Sequence, residues 1–182
     1  MDRLDTRRLL LCVVAVEPTR ARLRLERRLL RGLRPHRHHR LMTHEEEYAM
    51  SNENADLIRR AYQAYASGNL AAMLELVDPD LEWTYLDPAL EHPTPQVCHG
   101  RHELEQVLRH WTEHGVGVTL DEVASGGELV MVGVRTPGVG ADHGRRGDDR
   151  AYSVFTVRDR RIVALRDCRD RQEALHLTGI RS

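Results

Sequence analysis

Between Asp56 and Trp83 the apolar residues keep helical spacing twice and then change to strand alternation. That switch restricts the chain to folds in which short helices feed a sheet. Ile58, Ala61, Tyr62 and Tyr65 recur at i, i+3, i+4 and i+7, the stripe of an amphipathic helix expected over about 53–67. Ser67-Gly68 stops it, and Asn69 stands where a side-chain oxygen caps the next helix. In that second helix Leu70, Met73, Leu74 and Val77 share a face, with Pro79 as the expected stop. From Leu81 to Leu86 the period becomes two, so Leu81, Trp83, Tyr85 and then Asp87 point to one side.

The remaining pattern completes an α+β chain. A proline-rich loop is expected from Pro88 to Gly100, then a helix over about 101–114 burying Leu104, Val107, Leu108 and Trp111. Four strands follow at about 116–125, 128–136, 150–158 and 161–168. Ser125-Gly-Gly127 reads as a tight hairpin and Asp159-Arg160 as the last turn. The loop from Pro137 to Asp149 is long, charged and rich in glycine. Its Gly138-x-Gly140 opens no helix, so it lacks the context of a phosphate-binding loop. A final helix over about 170–177 is expected to cover one end of a pocket.

All 27 basic residues are arginine, which excludes lysine Schiff-base chemistry. Charge is uneven: residues 1–49 hold 12 Arg against 7 Asp and Glu, whereas the rest is mildly acidic and a poor nucleic-acid surface. Cys12, Cys98 and Cys168 form neither a CxxC pair nor an even framework. Reduced thiols and a cytoplasmic location are the expectation.

Residues 1–50 read as an Arg-rich, disordered extension before a domain over 51–180. The apolar run Leu9 to Val16 is too short to span a bilayer, which needs about 20 residues. The domain pattern begins directly after Met50, which is either the native start or the end of a native, poorly ordered tail. No membrane partner is assigned, although the Arg/Leu stretch from Arg20 to Arg40 has the composition of an amphipathic surface helix.

Candidate chemistry follows from polar residues that continue apolar rows. Val163, Leu165 and Asp167 share a strand face, so Asp167 is expected at a pocket wall, where burial raises a carboxyl pKa and suits it to proton transfer. Asp87 and Tyr85 stand on the Trp83 face. Arg135 is a lone charge on an apolar strand, either a carboxylate binder or a solvated strand end. Asp167 and Asp170 also have the helix-capping reading, and Asp87 before Pro88 the turn reading. Cys98-His99-x-x-His102 and His110/His114 contain ligand types, but surface histidines give the same pattern, and no metal is assigned.

Asp56 to Trp83 together with Arg161 to Leu175 resemble the SnoaL-like branch of the nuclear transport factor 2-like superfamily. The resemblance implies a cone-shaped, curved antiparallel sheet wrapped over N-terminal helices, enclosing one pocket for a small apolar molecule. It also implies a homodimer through the open face of the sheet, and no cofactor. Tyr85-Leu86-Asp87 and Leu165-Arg166-Asp167-Cys168-Arg169-Asp170 are similar to the two strands that hold and activate water in limonene epoxide hydrolase. Its middle-strand Arg-x-Asp pair aligns with Gly133-Val134-Arg135, so the proton donor to an epoxide is missing. The Asp-Pro base of ketosteroid isomerase resembles Asp87-Pro88, but its oxyanion positions read Ala61 and Ser153. Polyketide cyclases of this branch need chiefly one Asp in an apolar cavity. The implied catalytic residues are therefore Asp167, Asp87 and Tyr85, with Tyr62, Trp83, Trp111, Arg135, Ser153 and Phe155 against the substrate. The alternative is a binding or interaction module without chemistry.

Overall fold

In the computed structural model, residues 43–86, 94–113, 117–136 and 150–180 are described. The arginine-rich extension, Asp87, His114 and the 137–149 loop lie outside them. Every helix and strand of the described residues lies within His44–Ser182.

Helix α1 spans His44–Ala66, so it begins before the expected boundary near residue 53 and runs through Met50. Its stripe is as expected at Ile58 and Ala61, both buried, and broadens to Asn54, Ala55 and Leu57. Asn54 is a buried polar residue whose Nδ2 donates to the Gly127 carbonyl at 2.9 Å, fixing the helix to a distant hairpin. The helix ends where expected. Gly68 at φ +77° lets its own N–H reach Tyr65 O and that of Asn69 reach Ala64 O, the paired bonds of a left-handed helix end. Asn69 then caps α2, Leu70–Glu75, by accepting from Ala72 N at 3.1 Å.

Strand β1, Val77–Tyr85, starts four residues earlier than its alternation suggests and includes Pro79. Pro79 has no N–H to give, and the β1 register breaks between Val77 and Glu82. Arg161 Nη1 donates to Glu75 O and Val77 O, Arg101 Nη2 also donates to Val77 O, and Ile162 N to Leu76 O. These donors hold the irregular start in place. Strand β2, Gln96–His99, lies where only loop is expected. Flanking prolines and a length of four residues hide it in the sequence. Helix α3, Gly100–Glu113, buries Leu104, Val107 and Leu108, with Trp111 partly covered. Strands β3 (Thr119–Gly126), β4 (Leu129–Arg135), β5 (Arg150–Arg158) and β6 (Arg161–Cys168) match expectation closely. Helix α4 is Arg171–Thr178.

The six strands form one curved, unclosed sheet in the order β2-β1-β6-β5-β4-β3. Four pairings are antiparallel as expected; β1 and β6 run parallel. Cross-strand partners carry one face across the sheet through Trp83, Leu165, Phe155 and Val130. This inner face meets α1 through Tyr62 on Phe155 and α3 through Trp111 on Trp83. The outer face presents Met131, Tyr152, Val154 and Cys168, which pack on Ala174 and Leu175 of α4. The sequence places the final helix at one end of a pocket; it covers the back of the sheet instead. Its apolar residues complete the row that strand alternation leaves on that side.

The β5–β6 turn carries a local conflict. Asp159 and Arg160 both have positive φ, 48° and 59°, as a two-residue hairpin of right-handed strands demands. Asp tolerates that region, whereas Arg has no side-chain compensation for it. Arg160→Gly is therefore expected to raise stability by about 0.5–1 kcal/mol, the relieved strain less the added unfolded-chain freedom. Urea denaturation measures it, and an unchanged midpoint contradicts it.

Candidate functional site

Asp167 lies on β6 directly opposite Ser153 of β5. The Ser153 hydroxyl donates to Asp167 Oδ1 at 2.9 Å, and the Leu86 backbone N–H donates to Oδ2 at 3.2 Å. Asp167 keeps some exposure as a residue, yet its carboxyl is desolvated enough that burial pushes its pKa up to about 6. The Leu86 N–H, the Ser153 hydroxyl and, least, the Trp83 indole act in the opposite direction by favouring the charged form. Trp83 Nε1 is buried and reaches no standard hydrogen-bond geometry. The balance leaves a group that both gives and takes a proton near neutral pH.

Aromatic rings surround this carboxyl. Tyr62 of α1 meets Phe155 edge to face with centroids 6.0 Å apart. Its phenol is held above the ordinary range by burial, then by the nearby Asp167 charge, then by Tyr65. Trp83 packs edge to face on Tyr85 at 5.2 Å and on Trp111 at 6.0 Å. A cavity of about 230 Å³ lies between α1 and β3, lined by Tyr62, Gln63, Ala66, Val118 and Leu120 among others. Tyr62 thus borders both the cavity and the field of Asp167.

The structure brings together most of the residues read from sequence: Asp167, Tyr85, Trp83, Ser153, Phe155, Tyr62 and Trp111 share the inner side. Arg135 is the exception, because it alternates with Gly133 onto the outer side. Exposed there, it pairs with Asp121 at 3.4 Å, and Arg150 reaches the same carboxylate at 3.0 Å. It is remote in orientation from Asp167, so neither a substrate carboxylate at this site nor Asp167 is its partner. Asp170 is the cap of α4, accepting from Glu173 N at 2.9 Å; Asp167 is not a cap.

Cys98 is buried on the inner face opposite Trp83. Burial, then Glu103 and Asp167, push its thiol up to about 11. It stays protonated and is a poor nucleophile. His99 and His102 are exposed, and among the described residues no cluster of three or more ligand-type side chains is placed to hold a metal ion. No described helix is long and apolar enough to cross a membrane. Sequence reasoning misses Gln96, which sits opposite Tyr85 in a strand whose residues read as loop.

Residues 58–165, more than half of the chain, match the SnoaL-like domain. The chain belongs to the SnoaL-like family. The matched span includes Tyr62, Trp83, Tyr85, Trp111, Ser153 and Phe155 and stops two residues short of Asp167. Among solved structures this SnoaL-like chain is similar to TerC co-crystallised with polyporic acid, at 19% identity and a TM-score of 0.50, covering 69% of this chain and 97% of that one. It is also similar to IdmH of Streptomyces antibioticus, proposed to be a polyketide cyclase: 24% identity, TM-score 0.48, covering 70% and 99%. A nuclear transport factor 2-like protein of unknown function from Burkholderia pseudomallei gives 22%, 0.48, 70% and 98%. At these identities the likeness is one of fold. No curated protein matches.

Proposed function

We propose that this SnoaL-like domain is an acid–base enzyme in which Asp167 moves a proton on a small, largely apolar molecule, by cyclisation or isomerisation. The observation that carries this reading is a desolvated carboxyl, pushed up to about 6, set among Tyr62, Trp83, Tyr85 and Phe155. Ser153 and the Leu86 N–H each supply a donor to one carboxylate oxygen. They hold the group in one orientation in both protonation states. The rings offer apolar contact and exclude water, which strengthens every polar interaction at the carboxyl. The chemistry needs only this proton carrier, so no cofactor enters the proposal. Asp87, the second carboxylate suggested by the sequence, lies outside the described residues, and the proposal does not rest on it.

A carrier without chemistry is the second reading. Tyr62 lining the cavity of about 230 Å³ between α1 and β3 supports it, whereas the rings packing edge to face on one another, as in a filled core, favour an interaction module instead. Titration separates the two. The Asp167 carboxyl-carbon NMR signal is expected to move with a midpoint near pH 6, and to move higher in Ser153→Ala, which loses a bond that favours the charged form. A midpoint near 4, the ordinary carboxylate range, combined with ring binding, would establish the carrier. A homodimer is also proposed from the resemblance. It would use the outer face beside α4, where Val97 of β2 is an exposed apolar side chain.

A further inference from the structure

Cross-strand register places Gln96 in a polar row that runs over four strands. Gln96 of β2 faces Tyr85 of β1. Tyr85 stands beside Asp167 of β6, since Thr84 pairs with Arg166 and the Leu86 N–H bonds the Asp167 carboxylate. Asp167 faces Ser153 of β5. Strand alternation puts Gln96 on the same side as buried Cys98, the inner side. Along this row Ser153 and Asp167 satisfy each other. Gln96 does not share in that: its Oε1 is buried and has no hydrogen-bond partner among the described residues. One row away, the Trp83 indole N–H is directed at the Asp167 carboxylate and favours its charged form.

Buried polar atoms without partners are scarce in native proteins, because leaving one unpaired forfeits its hydration with no return. A buried acceptor left unpaired among the described residues, on the wall that carries the proton-transfer group, calls for a polar atom of a ligand. An acceptor-only oxygen calls for a donor. We propose that Gln96 is a specificity-determining residue whose side-chain carbonyl receives a hydrogen bond from a hydroxyl group of the substrate, so that the molecule taken is a hydroxylated ring compound and not a plain hydrocarbon. Gln96 lies two strands from Asp167, roughly 10 Å at the backbone. The hydroxyl it holds is therefore remote from the carbon or oxygen whose proton moves, and the two are joined by a ring framework lying along Tyr85 and Trp83. This inference rests on the reading of the Asp167 face as the substrate face.

The test compares 2-naphthol with 2-methoxynaphthalene, equal in ring shape but differing in the donor. Binding to the full chain is followed at the Asp167 carboxyl-carbon signal and by calorimetry. Wild-type protein is expected to bind 2-naphthol about tenfold more tightly, the discrimination of one buried hydrogen bond made or lost. Gln96→Leu is expected to equalise the two, and Gln96→Glu, which keeps an acceptor, to preserve the preference. Asp167→Asn should leave the preference intact. Equal binding by wild type, or a preference that survives Gln96→Leu, overturns the proposal while leaving the proton-transfer reading standing. If neither probe disturbs the Asp167 signal, the substrate face itself is misassigned and both fall.

Discussion

Asp167→Asn is expected to lower turnover on the order of 10²–10⁴-fold, the range for a lost general acid–base group, and yet to make the protein more stable at pH 8. The second half follows from linkage. The folded carboxyl titrates at about 6 against 3.8 when unperturbed, so the folded state holds its proton more tightly than the unfolded chain. Its contribution is fully present below about pH 3.8 and is lost as pH rises through 6. The whole shift corresponds to about 3 kcal/mol. Asn carries no charge to desolvate, but it offers an oxygen to only one of the Ser153 and Leu86 donors. About 1–2 kcal/mol of net gain at pH 8 is the expected outcome, shrinking to none or a deficit at pH 4. Denaturant melts of both proteins across that range measure the difference. A difference that does not change with pH would mean that Asp167 ionises like a surface carboxylate, and the proposed proton carrier would go with it.

Gly133→Val is expected to cost about 2–3 kcal/mol although valine is among the best strand formers. Gly133 is buried on the outer face between Glu122 and Tyr152. A Cβ there would lie 3.0 Å from Tyr152 Cε1 and 3.2 Å from Glu122 Cβ. The tyrosine ring occupies the space that a side chain would need. Glu122 in turn accepts from Arg171 of α4 through Nε at 3.0 Å and Nη2 at 2.7 Å, and that pairing holds its carboxyl below the usual range. Displacing either neighbour loosens α4 from the sheet. Thermal melting should drop by several degrees, with limited proteolysis cutting first within 171–178. Unchanged melting would show that the ring moves aside without penalty, and that α4 is held by Ala174 and Leu175 alone.

Much of the fold is legible in the sequence alone, for reasons visible in single residues. Ile58, Ala61 and Leu74 reveal their helices because a 3.6-residue period has no other use, and Leu81, Trp83 and Tyr85 their strand by strict alternation. Asp167 stands out because it extends the row of Val163 and Leu165. Arg135 misleads for a related reason: alternation says that it shares a side with Gly133 but not which side faces α1, and only pairing across β3, β4 and β5 decides that. Gln96 is invisible, since a four-residue strand between Pro95 and Gly100 has too few alternations to register. The position of α4 is also beyond reach. Its apolar residues could close a pocket or a sheet back equally well, and the choice depends on Met131, Tyr152 and Val154 meeting it.

The parallel pairing of β1 with β6 has a bearing on synthesis. Strand β6 sits between β1 and β5 and is made after the other strands of the described residues. Until Arg161–Cys168 has left the ribosome, the nascent chain holds two fragments, β1–β2 and β3–β5, each with an unpaired edge facing the gap. Contacts over such a sequence separation close slowly, and open strand edges invite pairing with other chains. Release from the exit tunnel, rather than local helix formation, is therefore the step at which this molecule either completes itself or sticks to its neighbours.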